Sequence, residues 1–169
     1  MTKQKEEFVF NKENLRVVSE IIAKYPENRQ KSSMLPLLDL AQRQNGGWLS
    51  VAAMECVARH ISEPFMRVYE VVTFYTMYNT KPVGKYHIQV CGTTPCWLSG
   101  ANDIMKSCEK YAQTKCGDTS KDGLFTISEV ECLGACVNAP MIQINDDYYE
   151  NLDVTKVQEL IEQFKKQNV

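Results

Sequence analysis

Four of the chain's seven cysteines lie in two short-spaced pairs, and this pattern is the clearest sign of chemistry in the sequence. Cys91 and Cys96 enclose four residues in the run CGTTPC, and Cys132 and Cys136 enclose three in the run CLGAC. A 2Fe–2S cluster takes four cysteine ligands, two on each iron. Structural zinc takes four ligands in a tetrahedron. The spacing therefore predicts a metal centre built from two loops, each supplying two thiolates.

Small residues around the two pairs favour an iron–sulfur cluster over zinc. They allow backbone N–H groups to approach sulfur, and hydrogen bonds to sulfur tune a cluster's reduction potential. These residues are Gly92, Thr93, Thr94, Gly134 and Ala135. Zinc more often uses a tighter spacing of two residues. On the residues alone, a zinc site, two disulfides and unrelated buried thiols remain open alternatives.

The other three cysteines are interpreted as lying outside the metal centre. Cys56 and Cys108 stand beside apolar positions of predicted helices, where buried free thiols are common. Cys116 precedes Gly117 in a predicted loop and is expected to be an exposed thiol. No C-x-x-C motif is present, which disfavours a thiol–disulfide oxidoreductase.

Histidines and acidic residues are assigned structural positions as well. A Rieske-type site needs two histidine ligands, but His60 and His87 both lie outside the cysteine loops. His87 is expected on a strand face. Asp146, Asp147 and Glu150 stand where a hairpin turn is predicted and are interpreted as solvated turn residues.

The composition is that of an ordinary globular protein, with 169 residues, 44% hydrophobic and 24% charged. A net charge of −2 gives no reason to expect nucleic acid or an anionic membrane surface as a partner. The sequence contains no apolar run of 18 residues, so direct membrane insertion is not expected. It contains neither a P-loop nor a GxGxxG element, so it is not expected to bind NADH or flavin by itself.

The first residues, MTKQKEEFVF, have neither the apolar core of a signal peptide nor the arginines of a transit peptide. The chain is therefore expected to stay where it is made, unless a presequence has been removed. An odd number of cysteines without a secretion signal indicates a reducing compartment.

Apolar residues at helical spacing predict four short helices in residues 1–80, which would form a small helical bundle. The expected helices span about 11–24, 32–45, 50–60 and 62–79. Asn11, Ser33, Ser50 and Ser62 are the expected N-caps, with Ser32 as an alternative to Ser33, and Pro64 is expected in the first turn of the fourth helix.

Residues 81–169 are predicted to form an α/β domain, so the fold class is α+β. Strands are expected at 86–91, 125–130, 140–144 and 148–150, with helices at 98–112 and after Asp153. The helix between the first two strands predicts a parallel pair, and the last two strands predict a hairpin. Both cysteine loops follow strands of the parallel pair, so one end of the sheet can present both.

Several runs resemble a known family. VCGTTPCWLSG, ECLGACVNAPMIQINDDYYENL, YEVVTFYTMY at 69–78 and LPLLDLAQRQNGGWLSVAAM at 35–54 resemble the small thioredoxin-like 2Fe–2S subunits of respiratory NADH:quinone oxidoreductase, complex I. The resemblance extends from about residue 15 to residue 164. Cys91, Cys96, Cys132 and Cys136 match the family's four ligand positions. Gly92 departs from it, because many relatives carry a larger or hydroxylated residue there.

The resemblance implies a thioredoxin-like fold and one 2Fe–2S cluster, with each cysteine pair on one iron. It implies a one-electron carrier that belongs to an NADH dehydrogenase but has no complete active site of its own. The expected partners are the subunit that binds FMN and NADH and other subunits of the peripheral arm. The expected location is the cytoplasmic face of the bacterial inner membrane, or the matrix side in mitochondria.

The sequence leaves alternatives to this function open. An equivalent subunit of an NAD-linked hydrogenase or formate dehydrogenase would keep the same chemistry in another host complex. A binding module stabilised by zinc, without redox activity, belongs to a different functional class.

Overall fold

The computed structural model describes residues 7–168, which form two units that divide between Pro82 and Val83. In the first unit, four helices surround one apolar core. Their bounds are Lys12–Ala23 (α1), Met34–Gln44 (α2), Val51–Ile61 (α3) and Phe65–Phe74 (α4), with a 3-10 turn at Gln30–Ser33. The predicted helical bundle is confirmed.

Two of the predicted N-caps form their capping hydrogen bonds. The Asn11 side chain accepts from the Asn14 N–H at 2.8 Å, and the Ser50 hydroxyl accepts from the Ala53 N–H at 3.1 Å. The core behind these helices takes side chains from each of them, including Val18, Leu37, Leu38, Val57, Val68 and Val72. Burial of these apolar faces is the main force that stabilises helices this short.

Of the other two predicted caps, Ser33 holds the N-cap position of α2 without a capping hydrogen bond, and the prediction for Ser62 is wrong. Ser33 directs its hydroxyl to the Gln30 carbonyl and makes no capping bond to α2. Ser62 ends α3 instead of starting α4, because its backbone is left-handed at φ +55° and its N–H bonds back to that helix. Pro64 is extended and precedes α4, so it does not lie in the first turn.

The fourth helix is also shorter than predicted. It ends at Phe74, and Tyr75 already has extended backbone angles. The segment then turns so that the buried Tyr78 hydroxyl donates to the Leu35 carbonyl at 2.9 Å. Burial of that ring, which apolar periodicity does not reveal, ends the helix early.

A four-stranded sheet with helices against one of its faces forms the second unit, and the α+β fold class is confirmed. The strands are Tyr86–Cys91 (β1), Phe125–Val130 (β2), Ile142–Ile144 (β3) and Asp147–Tyr149 (β4), and the helices are Thr94–Leu98 (α5), Ala101–Ala112 (α6) and Val154–Lys166 (α7). The predicted helix after Asp153 is confirmed, and the Asp153 carboxylate caps it by accepting from the Lys156 N–H at 2.8 Å.

The strand order is β2-β1-β3-β4. β1 and β2 are parallel, with Tyr86 beside Phe125 and Cys91 beside Val130. β3 is antiparallel to β1 and to β4. The predicted parallel crossover and hairpin are therefore both confirmed.

Three predicted bounds in this unit need correction. The helix expected at 98–112 is two helices, because Gly100 at φ +96° separates α5 from α6. β3 begins at Ile142 instead of Pro140, which follows a cis peptide bond. β4 begins at Asp147 instead of Tyr148.

Apolar side chains from alternate strand positions pack against α6 and α7 to form the core of this unit. The core includes Ile88, Phe125, Ile127, Ile142, Ile144, Ile104, Val157 and Ile161. This packing supports the parallel pair whose ends carry the two cysteine loops. No helix within residues 7–168 is long and apolar enough to cross a membrane.

Candidate metal centre

The parallel pairing of β1 and β2 brings the two cysteine loops to one edge of the sheet. Cys91 is the last residue of β1, and Cys132 follows the end of β2 by two residues. The Gly92 N–H donates to the Val130 carbonyl at 3.0 Å, which extends the pairing into the first loop. The prediction that one end of the sheet presents both loops is confirmed.

The first cysteine pair is buried. Cys91 and Cys96 each expose only 1% of their surface. They pack in a small apolar cluster with Ala101 and Met141, and Leu133 of the second loop packs against that cluster. Cys96 lies in α5, which the sequence did not predict, so a turn of helix positions this thiol.

The second pair is exposed. The Sγ atoms of Cys132 and Cys136 lie 3.5 Å apart, and the Gly134 N–H donates to the Cys132 Sγ at 3.4 Å. Gly134 has φ +86°, which a glycine adopts without steric cost. The prediction that small residues allow backbone N–H groups to approach sulfur is confirmed at this position.

Hydrogen bonds shift the pKa values of the two buried thiols, Cys91 and Cys96, in opposite directions. Burial alone would raise the pKa of Cys91, but hydrogen bonds from the Thr93 side chain and backbone and from the Leu133 N–H lower that pKa overall. The Thr93 hydroxyl lies 3.3 Å from the Cys91 Sγ. Burial, together with the hydrogen bond to Cys91, raises the pKa of Cys96 to about 11.

The pKa values of the exposed pair, Cys132 and Cys136, are also shifted in opposite directions. The Gly134 N–H and then the Cys136 thiol lower the pKa of Cys132. The hydrogen bond with Cys132 and then burial raise the pKa of Cys136. Each pair thus contains one thiol that loses its proton readily, and the thiolate is the form that binds metal.

The arrangement of the donors fits a two-iron cluster. A thiol–thiol hydrogen bond joins the members within each pair, whereas across the pairs Cys91 acts on Cys132 and Cys136 through charge. Across residues 7–168, no three or more Cys, His, Asp or Glu side chains lie close enough together to hold a metal ion. Two pairs on facing loops are the donor set in which each iron takes two thiolates.

Hydrogen bonds from β4 and the segment after it hold the second loop in place, and sequence reasoning missed them. The Tyr148 hydroxyl donates to the Leu133 carbonyl at 2.8 Å. The Asn138 amide donates to the Glu150 carboxylate at 2.6 Å, and the Asn151 N–H donates to the Asn138 carbonyl at 2.8 Å. Glu150 is half-buried, so the interpretation of it as a solvated turn residue is wrong.

The three remaining cysteines lie where they were predicted. Cys56 and Cys108 are buried in the cores of their units, and Cys116 is exposed. The Cys116 N–H donates to the Glu109 carboxylate at 3.0 Å.

Both histidines contact residues outside the two cysteine pairs. His87 lies on β1, as predicted, with its Nε2 2.8 Å from the Ser128 hydroxyl. The His60 ring packs on Phe10, with a centroid separation of 5.4 Å.

A model of the family described as thioredoxin-like [2Fe-2S] ferredoxin matches residues 18–165. The chain belongs to this family. Membership confirms the resemblance noted in the sequence and supports a 2Fe–2S cluster as the cofactor.

Curated relatives match almost the whole chain. A subunit of NADH-quinone oxidoreductase from Rickettsia typhi is 62% identical over 157 residues, which are 93% of this chain and 92% of the relative. The mitochondrial NADH dehydrogenase [ubiquinone] flavoprotein 2 of Dictyostelium discoideum is 51% identical, over 94% of this chain and 64% of the relative.

Among solved structures, an NAD+-reducing [NiFe]-hydrogenase in the air-oxidized state is similar to this member of the thioredoxin-like ferredoxin family. The TM-score is 0.68 at 22% identity, over 77% of this chain and 23% of the hydrogenase chain. At this identity the likeness shows the fold alone.

Proposed function

We propose that this chain is the electron-carrying 2Fe–2S subunit of a respiratory NADH:quinone oxidoreductase, with Cys91, Cys96, Cys132 and Cys136 as the cluster ligands. The single observation that carries the proposal is the placement of the two cysteine pairs on the loops that follow two neighbouring parallel strands. The relatives favour a respiratory host over a hydrogenase, because the Rickettsia typhi oxidoreductase chain reaches 62% identity whereas the hydrogenase reaches 22%.

The two pairs divide the work of holding the cofactor. When bound, the cluster supplies a one-electron redox step between an oxidised and a singly reduced state. Cys91 and Cys96 hold one side of it in the apolar cluster around Met141, which keeps water away. Cys132 and Cys136 hold the other side at the protein surface, the side open to an electron-transfer partner.

Large apolar side chains beside the cysteines form the surface on which we place the flavin-binding partner. Trp97, Leu98 and Val137 are 55%, 73% and 98% exposed, and they directly follow Cys96 and Cys136 in sequence. Exposed apolar groups of this kind mark interaction sites, and aromatic residues are enriched at interface centres. Docking there would cover the exposed thiols and bring the flavin towards them.

The helical unit carries a second exposed apolar group, formed by Phe74 at the end of α4 and Met77 after it. We assign it to contacts with the flavin subunit or with other subunits of the peripheral arm. FMN and NADH belong to the partner, where the hydride chemistry takes place. Through these contacts the chain would be held at the inner face of the membrane without entering it.

The partner is tested by reduction kinetics in the full chain with its cluster. NADH alone should leave the cluster oxidised, and adding the purified flavin subunit should allow NADH to reduce it. Val137→Glu places a charge on the proposed docking surface and should weaken binding of the flavin subunit by about tenfold or more, while the cluster spectrum stays unchanged.

Val154→Glu is the matched control, because Val154 is also an exposed valine of the second unit but begins α7. It should bind the flavin subunit like the wild type. Equal binding by Val137→Glu and Val154→Glu would contradict the docking surface, and reduction by NADH without the flavin subunit would contradict the division of roles.

A further inference from the structure

The carboxylate of Glu129 fills the space that a side chain at position 92 would need. A Cβ atom built on Gly92 would meet the Oε1, Cδ and Cγ atoms of Glu129, all at 3.0 Å or closer. Real Cβ atoms do not approach other heavy atoms so closely, so a larger residue at position 92 would displace the carboxylate.

The register of β1 and β2 explains why the Glu129 carboxylate lies so close to Gly92. Glu129 lies beside Val90 in the parallel pair β1/β2, and Gly92 continues β1 by one more hydrogen bond, to the Val130 carbonyl at 3.0 Å. Side chains at alternate positions of a strand share one face, so Val90, Gly92 and Glu129 face the same side of the sheet. The two residues meet at the edge that carries the cysteine loops.

The carboxylate is therefore close to the first ligand loop. Consecutive Cα atoms are about 3.8 Å apart, so the contact with Gly92 places the Glu129 Oε1 within about 8 Å of the Cys91 Cα. Glu129 is exposed, and the hydrogen bonds that shift the pKa values of Cys91 and Cys132 come from other groups. Its contact with the first ligand loop is the close approach to Gly92.

We propose that Glu129, admitted by Gly92, lowers the reduction potential of the cluster through its charge. Adding an electron beside an anion costs Coulomb energy, so removing the anion makes reduction easier. Charge near a cluster is one of the factors that set its potential. This inference rests on the proposed ligand set and adds a residue that tunes it.

Redox titration of the full-length, cluster-loaded chain tests the proposal. Glu129→Gln keeps the size of the side chain and removes its charge. We expect the equilibrium constant for one-electron reduction to rise by about tenfold, which is a shift of about +59 mV. The visible and electron paramagnetic resonance (EPR) spectra should be retained, because the ligands are unchanged. The shift should shrink in high salt, since an exposed charge is screened.

Glu159→Gln is the matched control, because it makes the same charge change on the exposed side of α7. It should leave the potential at the wild-type value. A Glu129→Gln shift no larger than that of Glu159→Gln, or a shift to a more negative potential, would overturn the proposal.

A double-mutant cycle separates charge from loop geometry. Gly92→Ala should also shift the potential in the positive direction, because the new Cβ displaces the carboxylate. In a Glu129→Gln background the same substitution should add nothing, since the displaced group is neutral. Equal effects of Gly92→Ala in both backgrounds would assign its effect to the loop and overturn the link to Glu129.

These outcomes are distinct from a failure of the proposed function. If Cys132→Ala retains a normal cluster, the ligand set is wrong. If the cysteine variants lose the cluster while Glu129→Gln retains both the cluster and the wild-type potential, the ligand set stands and the role of Glu129 is refuted.

Discussion

At the residue scale, spacing predicts the four thiols but not the groups that act on them. Cys91 and Cys96 can be found from sequence because ligand spacing is local. The Leu133 N–H, which acts on Cys91, comes from the other loop, and Glu129 reaches Gly92 only through the register of two strands. Such contacts depend on how β1 and β2 align, which local patterns do not specify.

His87 provides a test of stability at this scale. Burial lowers its pKa, so the unfolded chain binds a proton more tightly than the folded chain does. The contribution of the neutral His87 side chain to stability is therefore fully present above pH 6.5, the ordinary histidine pKa. This contribution is lost as the pH falls towards the lowered pKa of the folded state. Between pH 7.5 and pH 5.5, the urea midpoint of the wild type should fall more than that of His87→Gln.

His60→Gln is the matched control, because it removes the chain's other histidine, whose side chain is exposed. The loss of stability on acidification should be larger in His60→Gln, which keeps His87, than in His87→Gln. If His87→Gln and the wild type lose the same stability on acidification, the half-buried imidazole is not responsible.

At the element scale, long periodic segments were predictable and their ends were not. β1 and β2 match the predicted strands because apolar and polar residues alternate over residues 86–90 and 125–128. α4 ended early because the Tyr78 ring is buried, and α5 was missed because a five-residue helix gives no periodic signal. The first error comes from a tertiary contact that overrides a local pattern, and the second comes from the lack of any such pattern.

The link between β4 and the second cysteine loop leads to a prediction at this scale. Tyr148→Phe removes the hydrogen bond to the Leu133 carbonyl, which should cost about 1 kcal/mol. The loop that carries Cys132 and Cys136 should then open more often. We expect cluster loss to a strong iron chelator to be about fivefold faster, measured by the decay of visible absorbance.

Tyr149→Phe removes the same hydroxyl from the next residue, whose ring packs on Phe164. Its cluster should be lost at the wild-type rate. A rate for Tyr148→Phe that matches Tyr149→Phe would show that this hydrogen bond does not restrain the loop.

At the scale of the whole molecule, the two units have separate cores, and all four proposed ligands lie in the second. Composition and periodicity predicted a helical first part and an α/β second part, because the apolar period changes near residue 80. The predicted domain boundary between residues 80 and 81 stays a prediction.

Expression of the two parts tests that boundary. A fragment of residues 81–169 should fold and carry the cluster with the EPR spectrum of the full chain, because it contains both apolar clusters of the second unit. A fragment of residues 1–80 should be helical by circular dichroism and colourless. A fragment 81–169 that stays unfolded while the full chain holds its cluster would contradict independent folding.

The measurement that tests the central claim most directly is the iron and sulfide content of anaerobically purified protein, with its visible and EPR spectra. The wild type should be red-brown, bleach with dithionite, and contain about two irons and about two sulfides per chain. Cys132→Ala should lose this cluster, and Cys116→Ala, an exposed cysteine outside the pairs, should keep it. A colourless wild-type protein that contains zinc would contradict the account.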